Sequence, residues 1–199
     1  MKKNPFSLEP DKPAILPAET TVRRVVDYSV WDLRMLAAAK LFSSWSKDPS
    51  TRVGALLVDS SRRFVSMGYN GFAAGLDDSV DRLSNREYKY GCVLHAEENV
   101  FFNATAPLFG TTLYTYPMPP CSKCTAAAIQ VGVIRIVSVS GHYRTLSSDW
   151  KEKLEWAREM CEQVSIPIVL YPLEQVSFPD DALFRFVPSP DSLDKKVAP

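Results

Sequence analysis

The sequence predicts an α/β fold, a five-stranded mixed sheet with helices on both faces, and three observations carry that prediction. Between Thr111 and Tyr171 extended apolar runs alternate with helical ones, and successive strand-helix-strand units pair their strands in parallel through right-handed crossovers. Val53–Val58 and Phe64–Tyr69 flank the short polar segment Asp59-Ser60-Ser61-Arg62, the pattern of a hairpin. An amphipathic run precedes that hairpin and supplies a first helix.

Taken in order, Ser29 with Asp32 three residues on resembles a capping box. Val30, Leu33, Ala37, Leu41 and Trp45 follow at helical spacing, so the first helix is expected to open at Ser29 and stop near Asp48-Pro49. After the hairpin come a helix over His95–Ala104, a strand over Thr111–Tyr116, a helix over Cys121–Val131 and a strand over Val133–Val139. A helix over Ser148–Glu162 and a strand over Ile166–Tyr171 complete the sheet. Outside this core, residues 1–27 carry Pro5, Pro10, Pro13 and Pro17 with little periodicity and read as an extended arm. The tail 173–199 is broken by Pro179, Pro188 and Pro190, yet its Phe178, Leu183, Phe184 and Phe186 are apolar enough to seek cover on the core or on a second subunit. The expected organisation is therefore arm 1–27, domain 28–172 and tail 173–199.

With 199 residues the chain can bury one substantial core. Its 23 basic and 23 acidic residues cancel, which argues against a nucleic-acid binder that works by bulk electrostatics. Met1-Lys2-Lys3 is followed by Asn4-Pro5 rather than by an apolar leader, and no stretch approaches the roughly 18 apolar residues of a membrane span. The 4 cysteines do not form a disulfide framework. A reducing compartment, the cytoplasm, is the expectation.

The chemistry-bearing residues are His95-Ala96-Glu97 and, downstream, Pro120-Cys121-Ser122-Lys123-Cys124. A structural zinc site closes all its positions with Cys or His, whereas a catalytic one keeps three protein ligands and leaves the fourth position to water. His95, Cys121 and Cys124 supply such a set, with Glu97 as the spare carboxylate. Zinc would lower the pKa of bound water from about 15.7 toward 7, and Glu97 is placed to shuttle protons between that water and a ring nitrogen. Pro119 and Pro120 end the preceding strand and favour helical φ, so Cys121 falls at the start of a helix with Cys124 one turn on. The helix N-terminus favours thiolates there. Two residues along a helix rotate a side chain by roughly 200°, so His95 and Glu97 converge only if His95 stands at an irregular first turn. A competing reading closes the site with Cys92, which forms a CxxH with His95 and would make the zinc structural.

From about Trp31 to Tyr171 the chain resembles the deoxycytidylate (dCMP) deaminase family within the wider cytidine deaminase superfamily. The residues that carry the resemblance are the zinc motif, Ser46-Lys47-Asp48-Pro49-Ser50-Thr51-Arg52-Val53-Gly54-Ala55, Gly68-Tyr69-Asn70-Gly71 with Gly75, and Asn99. Glu98 departs from it, standing where the family usually carries an apolar residue. The resemblance implies a three-layer α/β/α cytidine deaminase-like fold, a zinc-activated water that attacks C4 of cytosine, release of ammonia and dUMP as product. It implies a homo-oligomer, a dimer or hexamer, and places Ala96 and Asn70 at the substrate, with Ser46, Lys47 and Tyr143 meeting the 5′-phosphate and sugar.

Physical chemistry leaves simpler readings of some of these residues open. Tyr69-Asn70-Gly71 is also an ordinary turn sequence, Lys47 also suits a solvated helix end, and Arg52 or Arg144 could serve the phosphate instead. Substrates to be weighed beside dCMP are dCTP or a 5-substituted dCMP, a base flipped out of a nucleic acid, and none at all if the zinc site is a scaffold.

Overall fold

The computed structural model describes residues 18–140 and 147–176. Contacts divide the chain into Met1–Trp31 and Asp32–Pro199; of the first unit the described part, residues 18–31, is the opening stretch of helix α1, Ala18–Ser43. The second unit runs β1 Gly54–Val58, β2 Phe64–Tyr69, β3 Gly71–Phe72, α2 Val80–Ser84, α3 Arg86–Cys92, β4 Val93–Leu94, α4 Ala96–Phe102 and β5 Thr112–Tyr116. It continues with α5 Ser122–Gln130, β6 Arg135–Val139, α6 Ser148–Gln163, β7 Ile168–Tyr171 and a 3₁₀ turn at Leu173–Gln175.

Helix α1 corrects the sequence-based boundary at both ends. Nothing between Ala18 and Ser43 is Gly or Pro, so the helix starts at Ala18, and Ser29 and Asp32 lie inside it rather than at a cap. At the other end Ser44, Trp45 and Ser46 donate their backbone N–H groups to Leu41, Phe42 and Ser43. These i→i−3 bonds tighten and end the helix, so Trp45 lies in the loop beyond it.

The main sheet has the order β2-β1-β5-β6-β7. β1 is antiparallel to both β2 and β5, while β5, β6 and β7 are parallel. That is the predicted mixed sheet with its hairpin and its two crossovers. Two glycines set the layers. Gly54 pairs with Tyr69, and Ala55 pairs with Gly68; paired residues share a face and neighbours alternate, so Gly54 and Gly68 face opposite ways. A Cβ on Gly54 would stand 2.0 Å from the Ala39 carbonyl oxygen of α1, and one on Gly68 would stand 2.8 Å from the Ala96 oxygen of α4. Helices α1 and α4 therefore cover opposite faces, and only glycine lets each backbone come so close. The right-handed crossovers put α5 and α6 on the α4 side, where Ala55, Leu57, Ala96, Val100, Leu113, Ala128, Val133, Ile136 and Cys161 form a buried cluster.

The α1 face is pinned by one carboxylate. Asp32 is fully buried and accepts both Arg135 guanidinium nitrogens at 2.8 and 2.6 Å, the Tyr114 hydroxyl at 2.9 Å and the Tyr171 hydroxyl at 2.8 Å. A buried charge is tolerable only when its lone pairs are filled in this way. Burial, reinforced by the Asp32 carboxylate, pushes both phenols above their usual range, Tyr171 to about 12. Among the described residues no helix is long and apolar enough to cross a membrane.

Candidate active site

The motif residues stand where two helices begin. His95 is the N-cap of α4, with extended φ −70° and ψ 157°, and this non-helical turn lets His95 and Glu97 serve one site. Cys121 is the N-cap of α5, φ −69° and ψ 171°, and Cys124 lies one turn on. Gly68 allows α4 to press against β2, and Asn99 of α4 donates from Nδ2 to the Tyr69 carbonyl at 2.7 Å, tying the His95 helix to the end of β2. Glu98, the residue that departs from the family pattern, accepts the His95 backbone N–H at 2.7 Å and so fixes that turn. A His-x-x-Glu spacing at a helix start was the available signal for it.

His95 Nδ1 lies 3.5 Å from Cys121 Sγ and 3.3 Å from Cys124 Sγ, and all three ligand atoms fall within 4.8 Å of one another. A tetrahedral ion with Zn–S near 2.3 Å and Zn–N near 2.05 Å needs an S···N separation of about 3.5 Å. The residues present fit zinc, the cofactor of this site, and among the described residues no fourth His, Cys, Asp or Glu joins the ligand cluster. Cys92 is only half-buried and free, and it is absent from the ligand cluster found among the described residues, which speaks against the site closed by Cys92.

Charges within the cluster respond to one another. A hydrogen bond from the Cys124 thiol, aided by His95, draws Cys121 down to about 4. The same contact, acting in the opposite sense, holds Cys124 far above the ordinary thiol range. The hydrogen bond with Cys121 raises His95 to about 9. Glu97 is 4% exposed, and burial lifts its carboxyl to about 7. A carboxyl with that property, beside a three-ligand metal site, can accept and return a proton near neutral pH. Trp150, at the start of α6, stacks on the His95 ring with centroids 6.0 Å apart and planes inclined by 25°. Nothing in the sequence pattern points to that contact.

The other expected substrate residues divide. Ala96 is fully buried directly after His95. Ser46 is 2% exposed and donates to the Asn70 carbonyl at 2.8 Å. The Asn70 side chain accepts the Val53 N–H at 2.7 Å and donates to the Thr51 carbonyl at 2.9 Å and to Asp48 Oδ2 at 3.4 Å. Lys47 is half exposed and pairs with Asp78 at 2.9 Å. Asn70 and Lys47 line a cleft of about 320 Å³ with Trp45, Tyr69, Phe72 and Asn99, to which the metal ligands and Glu97 do not contribute. Arg52 reaches back to the Asp48 carbonyl at 3.5 Å. Tyr143 and Arg144 lie outside the described residues.

A family model described as the zinc-binding region of cytidine and deoxycytidylate deaminases matches residues 29–140. The chain is 38% identical over 146 residues to an uncharacterized deaminase in the luxG 3′ region of Aliivibrio fischeri, an alignment that covers 73% of this chain and 97% of that protein. Deoxycytidylate deaminase of Homo sapiens is 32% identical over 132 residues, which are 63% of this chain and 74% of the human protein. Among solved structures, dCMP deaminase from the cyanophage S-TIM5 in complex with dCMP and dUMP has the same fold, with a TM-score of 0.53 at 19% identity over 78% of this chain and 99% of that one.

Proposed function

We propose that this chain, which belongs to the cytidine and deoxycytidylate deaminase family, uses Glu97 as its proton carrier and the 46–52 loop with Asn70 to receive its nucleotide. The reaction is the zinc-dependent hydrolytic deamination of dCMP: water adds at C4, ammonia leaves, and dUMP remains. His95, Cys121 and Cys124 would hold the zinc, which when bound would lower the pKa of its water from about 15.7 toward 7. Glu97 takes one proton of the water at its carboxylate and passes it to the ring nitrogen beside C4 as oxygen adds there; it then takes the proton of the new C4 hydroxyl and gives it to the amine, which leaves as ammonia as the C4–N bond breaks and the C4 carbonyl forms. Its burial excludes bulk water from that transfer and keeps the carboxyl basic enough to perform it. The single observation that carries this reading is the juxtaposition of a three-ligand metal cluster with a buried carboxyl of raised pKa.

Within the same reading Ala96 packs against the base, Asn70 and Ser46 frame the sugar, and Lys47 leaves Asp78 for the 5′-phosphate, with Tyr143 beside it. What supports this is that Ser46, Lys47 and Asn70 adjoin at one end of the sheet, the end from which β5 leads to Cys121. The domain spans 28–172 between the arm 1–27, which from Ala18 on is not extended but belongs to α1, and the tail 173–199, assembled as a homo-oligomer in the cytoplasm. Sedimentation at micromolar concentration is expected to show a dimer or hexamer, and a clean monomer removes that part of the proposal.

The test of substrate choice is to incubate the purified protein with dCMP, deoxycytidine, cytidine, dCTP and a cytosine-containing oligonucleotide while following loss of cytosine absorbance. Turnover of dCMP well above the others is expected; equal turnover of deoxycytidine would defeat the nucleotide assignment while leaving the zinc chemistry standing. Lys47→Ala should lower kcat/KM for dCMP by about 10- to 150-fold, the worth of one charged hydrogen bond, with deoxycytidine unchanged. If both substrates suffer equally, Lys47 does not read the phosphate.

A further inference from the structure

Residues 44–53, which join α1 to β1, form no regular structure, so the nucleotide loop must take its shape from side chains. Asp48 supplies most of it. Its Oδ1 accepts the backbone N–H groups of Ser50 at 2.7 Å and Thr51 at 3.1 Å, and its Oδ2 accepts Asn70 Nδ2 at 3.4 Å. Its own backbone N–H is fixed by Ser46 Oγ at 3.2 Å. The carboxylate is 6% exposed, and a charge so buried needs a counter-charge.

That counter-charge comes from elsewhere in the chain. Lys89, on α3, places Nζ 3.1 Å from Asp48 Oδ1 and 3.2 Å from Ser50 Oγ. Its side chain is also 6% exposed, so neither partner has bulk water as a substitute. α3 leads directly into β4 and His95, and β4 pairs with β3, which follows Asn70. The Lys89–Asp48 bridge therefore closes a ring: Asp48, Asn70, β3, β4 and α3 hold one another.

We propose that Lys89 is a positioning residue for the deaminase reaction: by neutralising Asp48 from α3 it holds the 46–52 loop and Asn70 in the shape that receives a pyrimidine nucleoside monophosphate. The proposal rests on the reading that Ser46, Lys47 and Asn70 meet the nucleotide. Lys89 touches neither the metal ligands nor Glu97, so its loss acts on substrate capture. A misplaced binding group raises KM, by about 10- to 100-fold when displacements reach the order of 1 Å.

The experiment compares Lys89→Met, Lys89→Arg and the double variant Asp48→Asn/Lys89→Met as zinc-loaded proteins. It measures zinc per chain, melting temperature, kcat and KM for dCMP, and amide hydrogen exchange at Ser50 and Thr51. Lys89→Met is expected to keep its zinc and a kcat within a few-fold of native, to raise KM by about 10- to 100-fold, and to exchange faster at those two amides. Lys89→Arg, and the double variant in which no charge is left unpaired, should recover most of the KM. Unchanged exchange with unchanged KM in a folded Lys89→Met overturns the proposal, as does a loss of kcat and zinc that only follows the unfolded fraction. Faster exchange with native KM also overturns it, but through the reading beneath: the clamp would be real and the loop would not be the nucleotide site. If Lys89→Met does not fold, Lys89→Gln takes its place, and unchanged exchange with unchanged KM in that variant overturns the proposal equally.

Discussion

Gly68→Ala is a single-methyl perturbation whose effect on a metal site can be worked from the packing. The added Cβ would stand 2.8 Å from both the Ala96 carbonyl oxygen and the Val100 nitrogen, and 2.9 Å from Asn99 Cβ. Ordinary contact begins at about 3.5 Å, so α4 must recede from β2 by about 0.7 Å. Neither obstacle in the α4 backbone can rotate away. Overpacking of this kind costs about 1–3 kcal/mol, which for a domain of this size lowers Tm by about 2–12 °C. The second effect falls on zinc. His95 is the N-cap of α4 and moves with it, while Cys121 and Cys124 belong to α5; the Nδ1–Sγ separations of 3.5 and 3.3 Å cannot both survive. Disturbing the support of a ligand typically costs 10- to 100-fold in metal affinity, and we expect about that loss here. Competition with a chromogenic chelator measures the affinity, and thermal melts with saturating zinc and with chelator separate the two effects. Gly71→Ala is the control, since a Cβ there meets nothing within 4 Å. A Gly68→Ala protein with native melting and a native chelator curve would show that the close approach of α4 to β2 does not position His95.

Other expectations bear on the chemistry and on the opposite face. Glu97→Gln should retain about one zinc per chain while turnover falls by about 10²- to 10⁴-fold; retention of most turnover would take the proton-carrier role from Glu97. Cys92→Ser should bind zinc as the native protein does, and metal release measured by the same chelator would revive the closed site. Asp32→Asn leaves the partly buried Arg135 beside a neutral group, so the urea midpoint should fall by the equivalent of about 3–5 kcal/mol. A change below about 1 kcal/mol would mean that the Asp32 network, despite its geometry, contributes no net stability.

What the sequence disclosed and what it concealed follow from the range of each interaction. The zinc cluster was legible because its signals are local: a Pro-Pro entry before Cys121, a CxxC that spans one helical turn, and the rotation that forces His95 to an N-cap. The alternation after Thr111 likewise told parallel strands from antiparallel ones. Asp32 was read as part of a cap since its partners Tyr114, Arg135 and Tyr171 lie 82, 103 and 139 residues away. Helix α1 was started too late because the arm's prolines end at Pro17 and the run beyond it lacks a clean apolar stripe. Between Gly71 and His95 the helices are of 5 and 7 residues, too short for periodicity to register. Nothing local singles out Lys89, whose partner Asp48 lies 41 residues away. The bonds of the Asn70 side chain with Val53, Thr51 and Asp48 span 17, 19 and 22 residues and leave no local pattern either.

The way His95 and the cysteines are held has a consequence for how the protein lives with a scarce metal. In small zinc domains the ion is the keystone, and the chain is unfolded without it. Here the ligands project from helix starts already anchored by an apolar core on one side of the sheet, the bond from the His95 N–H to the Glu98 carboxylate and the Asn99–Tyr69 clamp. Chelation should lower the melting temperature by mass action yet leave the helical signal intact. Inactivation by metal starvation is then a reversible idling, and a pool of folded, unloaded enzyme can return to work as soon as zinc is supplied, with no need for new synthesis or refolding.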